Sequence, residues 1–301
     1  MEAFLLLILF AAAVWLIPYF WRRWRRQHLM AQPLSTEQQS WLEQNLALYP
    51  RLPDDQQQEL RSHISLFLRD KAFVGCNGLK VTEEMRVTVA AHACLLLLQR
   101  ANNCYPNLRT ILLYPDAYLA EETHRDGYVE SAHLSARAGE AHYRGPVVLS
   151  WADLQQGLAQ PQQGHNVAIH EFAHKLDEED GYVDGRPLFD SVEAGKDWAP
   201  VMRDAFAALR QRLHALHTEI QGTESQPDEG EREVSEEKDD PPSVLDTYGA
   251  QSPAEFFAVA TEAYFVIPTA MQAAHPALYR ELQKFYRTDP AALLRGNLAD
   301  G

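Results

Sequence analysis

Residues 166–177 read NVAIHEFAHKLD, and no other stretch restricts the fold of this chain as tightly. Ile169, Phe172, Ala173 and Leu176 recur at i, i+3, i+4 and i+7, the spacing of a helix that buries one face. His170 and His174, four residues apart, lie about 40° apart around that helix and share another face with Asp177. Both imidazoles can therefore offer a ring nitrogen to one metal ion. Glu171 projects between the two faces, near such an ion but not required as a ligand, which is the place of a general base. A fold that accommodates this segment must bury it on one side and bring a further ligand to the other.

A His-Glu-x-x-His pattern arises by chance in about one chain of this length in twenty-five, so a third ligand has to be found. Zinc in a hydrolase takes three protein ligands and keeps one position for water. Residues 245–265, LDTYGAQSPAEFFAVATEAYF, begin a helix at Ser252-Pro253 and offer Glu255. The same residue completes Ser252-x-x-Glu255, a capping box in which the carboxylate would serve the backbone instead. Asp177 and Glu262 are rival carboxylates, and spacing does not choose among the three. His92, inside the apolar run EEMRVTVAAHACLLLLQR at 83–100, reads as a satisfied core histidine.

The N-terminus constrains the chain differently. Residues 3–21, AFLLLILFAAAVWLIPYFW, carry no charge, and as a helix they would span the roughly 30 Å hydrocarbon core of a bilayer. Positive charges follow this run, as RRWRR at 22–26, whereas a secretory signal places them before it; Trp15, Tyr19, Trp21 and Trp24 would anchor the interface. The expectation is a single-pass inner (cytoplasmic) membrane protein, with residues 1–26 as anchor and basic flank and residues 27–301 as a domain on the cytoplasmic side.

Within that domain the patterns predict helices over 35–70, 83–100, 197–219, 253–266 and 275–288 and a turn at Gly75-Cys76-Asn77-Gly78. Short strands are predicted at 110–114 and 146–151, with a polar segment at 127–144 between them. Residues 221–240 hold nine acidic and two basic side chains and read as a disordered, solvated insert. Cys76, Cys94 and Cys104, odd in number and without Cys-x-x-Cys spacing, read as buried thiols. A net charge of −15 excludes nucleic acid as a partner, because phosphates require a field of opposite sign.

HEFAHKLD at 170–177 and the segment 245–265, together with ILLYPDAYLAEE at 111–122 and GPVVLSWADLQQG at 145–157, resemble the Mlc titration factor A family of bacterial glucose-regulated zinc metallopeptidases. The metalloprotease region of that family is in turn similar to the catalytic domain of anthrax lethal factor. The resemblance covers residues 35–295 and implies one Zn²⁺ per chain, held by His170, His174 and Glu255. It implies Glu171 as general base and Tyr248, seven residues before the third ligand, as donor to the oxyanion; beside the resemblance, Asp177 and Glu262 are candidates to orient a ligating imidazole by accepting its other N–H. The implied fold is α+β and zincin-like, mostly helical with a small sheet, here preceded by one transmembrane helix. The implied activity is that of a gluzincin-type, aminopeptidase-like enzyme acting on peptides, with a transcriptional repressor as a further protein partner. A membrane-tethered binding protein with a structural zinc, and a helical domain without metal, are the competing readings.

Overall fold

The computed structural model of the chain describes residues 23–100, 104–116, 145–224 and 244–296, together with positions 10, 14, 16, 17, 20 and 21. Proline punctuates its helices. The expected helical run at 35–70 is divided into α1 (Thr36–Asn45) and α2 (Asp54–Asp70), because Tyr49–Arg51, with Pro50 inside it and Pro53 just after, forms a 3₁₀ turn. Ser35 caps α1 in a reciprocal capping box with Gln38.

Three short parallel strands follow, β1 (Ala72–Gly75), β2 (Thr110–Tyr114) and β3 (Val147–Ser150), in the spatial order β1-β2-β3. Parallel neighbours require a crossover, and the β1–β2 connection contains α3 (Glu83–Leu95). The turn after β1 forms as its Asn-Gly pair predicts, with Asn77 and Gly78 at φ of 49° and 79°. α3 stops five residues short of the expected 83–100 helix; Leu96, Leu97 and Leu98 remain buried but lie in turns, closed by Gln99 at a φ of 60°. His92 is buried with its Nδ1 2.8 Å from the Thr88 carbonyl, a core histidine as its setting implied. Cys94 and Cys104 are buried and Cys76 is half-buried.

After β3 come α4 (Trp151–Ala159), capped by Ser150, and α5 (Val167–Asp177). The predicted face of α5 is the buried one: Ile169, Phe172, Ala173 and Leu176 are all in the core, and the Phe172 ring lies 5.6 Å from Phe67 and 4.9 Å from Tyr105. α6 (Trp198–Glu224) runs into the start of the acidic stretch; residues 225–240, like the segment 127–144, lie outside the described residues. α7 (Pro253–Val266), α8 (Pro268–Ala274), α9 (Pro276–Tyr286) and α10 (Pro290–Arg295) each start on a proline, whose missing N–H costs nothing in the first turn. One hydrophobic core extends from Leu34 to Ala291 and joins the sheet to the helices on both sides of it in sequence. The result is mostly helical with a small sheet, as expected.

The expected transmembrane helix is not supported, and the single-pass inner-membrane location built on it falls with it. No helix among the described residues is long and apolar enough to cross a membrane. Most of residues 3–21, including Trp15 and Tyr19, lies outside the described residues. The helical residues 23–30 that follow are RWRRQHLM, whose three arginines do not extend the apolar run. They dock on α2 instead: Arg25 pairs with Asp70 at 2.9 Å, and the Leu29 carbonyl accepts the Ser65 hydroxyl at 2.9 Å.

Candidate metal centre

Two helices bring the candidate ligands together. α5 is positioned by Asn166, whose side chain caps it by accepting the Ile169 N–H at 3.0 Å, and by the aromatic contacts of Phe172. α7 packs across α5 and is buried along almost its whole length, from Ala254 through Phe256–Phe265. Ser252 accepts the Glu255 N–H at 3.2 Å, so half of the predicted capping box exists. The Glu255 carboxylate makes the other choice and faces the imidazoles of α5, 85 residues away in sequence.

His170 Nε2 is 3.0 Å from Glu255 Oε2, His174 Nε2 is 3.4 Å from the same oxygen, and the two Nε2 atoms are 3.2 Å apart. A tetrahedral metal with bonds of about 2.0–2.1 Å separates its ligand atoms by about 3.3 Å, so the three side chains fit a single ion. Their chemistry fits as well. His170 Nδ1 donates to Glu262 Oε1 at 2.6 Å, which leaves Nε2 of the neutral ring with a lone pair directed at a carboxylate. Only a proton or a cation relieves that contact. Without an ion the proton is strongly held: burial works against charging His170, but hydrogen bonds to Glu255 and Glu262 prevail and push its pKa up to about 10. For Glu255, burial favours the neutral acid, yet the hydrogen bonds from His170 and His174 hold the carboxyl well below its usual range. Among the described residues this is the one group of three or more His, Cys, Asp or Glu side chains suited to a metal.

The remaining predicted residues surround this cluster. Glu171 is half-buried on α5, and its charge acts on both His170 and Tyr248. Tyr248 sits on the 3₁₀ turn Thr247–Ala250, its ring 5.9 Å from that of His170; burial and the Glu255 and Glu171 carboxylates raise its hydroxyl far above the usual phenol value. Glu262 backs His170, and its Oε2 also accepts the Asn166 N–H at 2.6 Å. Asp177 stays outside the cluster. Its Oδ2 accepts the Gly185 N–H at 2.8 Å, its Oδ1 has no hydrogen-bond partner among the described residues, and burial raises its pKa to about 7.

Residues without a motif complete the surroundings. Gly185, at a φ of 75°, also accepts the Trp198 indole N–H through its carbonyl at 2.9 Å and lies so close to α7 that a Cβ would stand 2.4 Å from the Pro253 carbonyl. That loop is seated at the start of the helix that carries Glu255. His165 and Asp246, also unnoticed in the sequence, meet at 3.2 Å beside Glu262.

Comparison with known proteins gives a consistent picture. A family model described as "Glucose-regulated metallo-peptidase M90" matches residues 21–287. An uncharacterized protein of Synechocystis is 37% identical over 93% of this chain and 93% of its own length. Mlc titration factor A of Edwardsiella ictaluri is 31% identical over 89% of this chain and 92% of its own, and that of Yersinia pestis 32% identical over 85% and 87%.

Proposed function

The chain belongs to the glucose-regulated metallo-peptidase M90 family, and on that premise we propose that it is a zinc peptidase with residues 27–301 as its catalytic domain. In this reading His170, His174 and Glu255 hold one Zn²⁺. The observation that carries it is the convergence of their ligand atoms within 4.8 Å of one another, in an arrangement that calls for a cation. Two imidazoles and one carboxylate, partly open to solvent, are the donor set of a hydrolytic zinc site. When bound, the ion supplies Lewis acidity, which polarises the scissile carbonyl and acidifies water.

The side chains do the rest. Glu171 takes a proton from the attacking water and returns it to the leaving amine. Tyr248, its phenol kept protonated by burial and by two carboxylates, donates a hydrogen bond to the oxyanion. Glu262 fixes His170 in the tautomer that leaves Nε2 free for the ion. β3 is a sheet edge among the described residues and packs beside α5, a suitable rail for main-chain pairing with an extended peptide. Aminopeptidase-type cleavage is the finer reading, and an N-terminally blocked peptide that is cut as fast as its free counterpart would refute it.

A second role, capture of a protein regulator such as a transcriptional repressor, draws support from the name Mlc titration factor A carried by the Edwardsiella and Yersinia relatives. Glu171→Gln separates the two. For a peptidase it should lower kcat by about 10²–10⁴ while one zinc per chain remains bound. The His170→Ala/His174→Ala double variant should lose the zinc itself. Unimpaired hydrolysis by Glu171→Gln would remove the base assignment, and absence of stoichiometric zinc in the wild type would remove the metal.

A further inference from the structure

Polar contacts continue outward from the candidate centre through His165 and Asp246. His165 Nε2 lies 3.2 Å from Asp246 Oδ2, and its Nδ1 lies 3.9 Å from Glu262 Oε2. Asp246 caps the turn that carries Tyr248: its Oδ1 accepts the Tyr248 N–H at 2.7 Å and the Thr247 hydroxyl at 3.4 Å, and its carbonyl accepts the Gly249 N–H at 3.1 Å. At the other end Glu262 holds His170 Nδ1 and the Asn166 N–H, each at 2.6 Å. A line of contacts thus runs from the Tyr248 turn through Asp246, His165 and Glu262 to His170.

From this juxtaposition we infer that His165 and Asp246 are positioning residues, a bridge that holds the Tyr248 hydroxyl in register with the ligand face of α5. The inference rests on the reading of Tyr248 as oxyanion donor. A four-residue turn has little rigidity of its own, and a shift of about 1 Å in a catalytic group can cost 10²-fold in rate. Asp246 fixes the backbone of the turn. His165, which directly precedes the α5 cap Asn166 in the chain, then ties Asp246 to the start of α5, so that turn and ligand helix move together. The His165 side chain is 49% exposed, so its contacts add little to global stability. Its removal should therefore appear in catalysis and not in the melting temperature.

The test uses the full chain and short peptide amides with free N-termini. His165→Ala and Asp246→Ala should each lower kcat about tenfold and leave KM within about twofold, with zinc affinity by chelator competition unchanged. The melting midpoint of the ion-free His165→Ala protein should match that of the wild type. His165→Gln, which keeps a donor for Asp246, should recover most of the lost rate. In a Tyr248→Phe background, itself slower by about 10²-fold, His165→Ala should cost less than about twofold more. A full tenfold loss in that background overturns the bridge and leaves the Tyr248 assignment standing. Wild-type kcat in Tyr248→Phe alone overturns that assignment and the bridge with it. A tenfold loss of zinc affinity in His165→Ala would show that it acts through His170, and would also overturn the bridge.

Discussion

α5 and α7 meet across the candidate metal centre, yet they solve the problem of holding charge in a protein interior in opposite ways. α5 separates its duties around the helix: Ile169, Phe172, Ala173 and Leu176 pack into the core while His170, Glu171 and His174 stay half-buried on the other side. α7 has almost no exposed side, and its carboxylates, Glu262 buried and Glu255 half-buried, stand in an otherwise apolar helix, where imidazoles of α5 meet both of them. The only fully buried carboxylate of α5, Asp177, has no ion-pair contact among the described residues, and burial raises its pKa, whereas that of Glu255 is held down. Depth and the groups on the facing helix together thus set whether such a carboxylate is ionised or neutral.

Three substitutions can break or sharpen this contrast. Phe172→Ala attacks only the core face of α5 and should cost about 3–5 kcal/mol in denaturant unfolding, with metal affinity of the remaining folded protein unchanged. Equal loss of both would mean that the two faces are not independent. Asp177→Asn tests the unpaired carboxylate. Its folded pKa of about 7 lies above the 3.8 of a free aspartate, so its contribution to stability is complete below about pH 4 and declines until about pH 7. Relative to Asp177→Asn, the wild type should therefore lose roughly 2–4 kcal/mol between those pH values and then level off. A flat difference would show that the group ionises freely in the fold. Glu262→Gln, on the paired side, removes the charge behind His170 and should weaken zinc binding by about 10–100-fold with little change in the fold. Unchanged affinity would reduce Glu262 to packing.

The legibility of the molecule follows the same division. The core face of α5 and the pair His170/His174 are written in one turn-periodic segment, and the run TILLY, β-branched and apolar between turn signals, gives β2 at 110–114. The end of α3 is not written, because Leu95–Leu98 carry no glycine, proline or polar break, and only the packing that buries them in turns ends the helix. The acidic composition that suggests an unstructured start at 221 does not stop α6, which continues to Glu224. The uncharged run at 3–21 satisfies a hydropathy rule, but among the described residues the helical stretch that follows is tied to α2 by Arg25 and Leu29. His165 and Asp246 give no signal at all. They are polar residues of ordinary type, distant in sequence, that meet only in the folded chain.

The sequence by itself determined which helix could offer a metal two imidazoles and which of its faces had to be buried, because both follow from the 3.6-residue repeat of a single segment. It narrowed the third carboxylate to Asp177, Glu255 or Glu262 and could go no further, since a cap, a ligand and a ligand's support use the same chemical group. Tertiary structure gave the three different surroundings by crossing α7 over α5, which set Glu255 against Nε2 of His170, Glu262 against its Nδ1, and Asp177 against a backbone amide. Contacts that span 85 and 92 residues depend on how helices pack, and no local spacing encodes that.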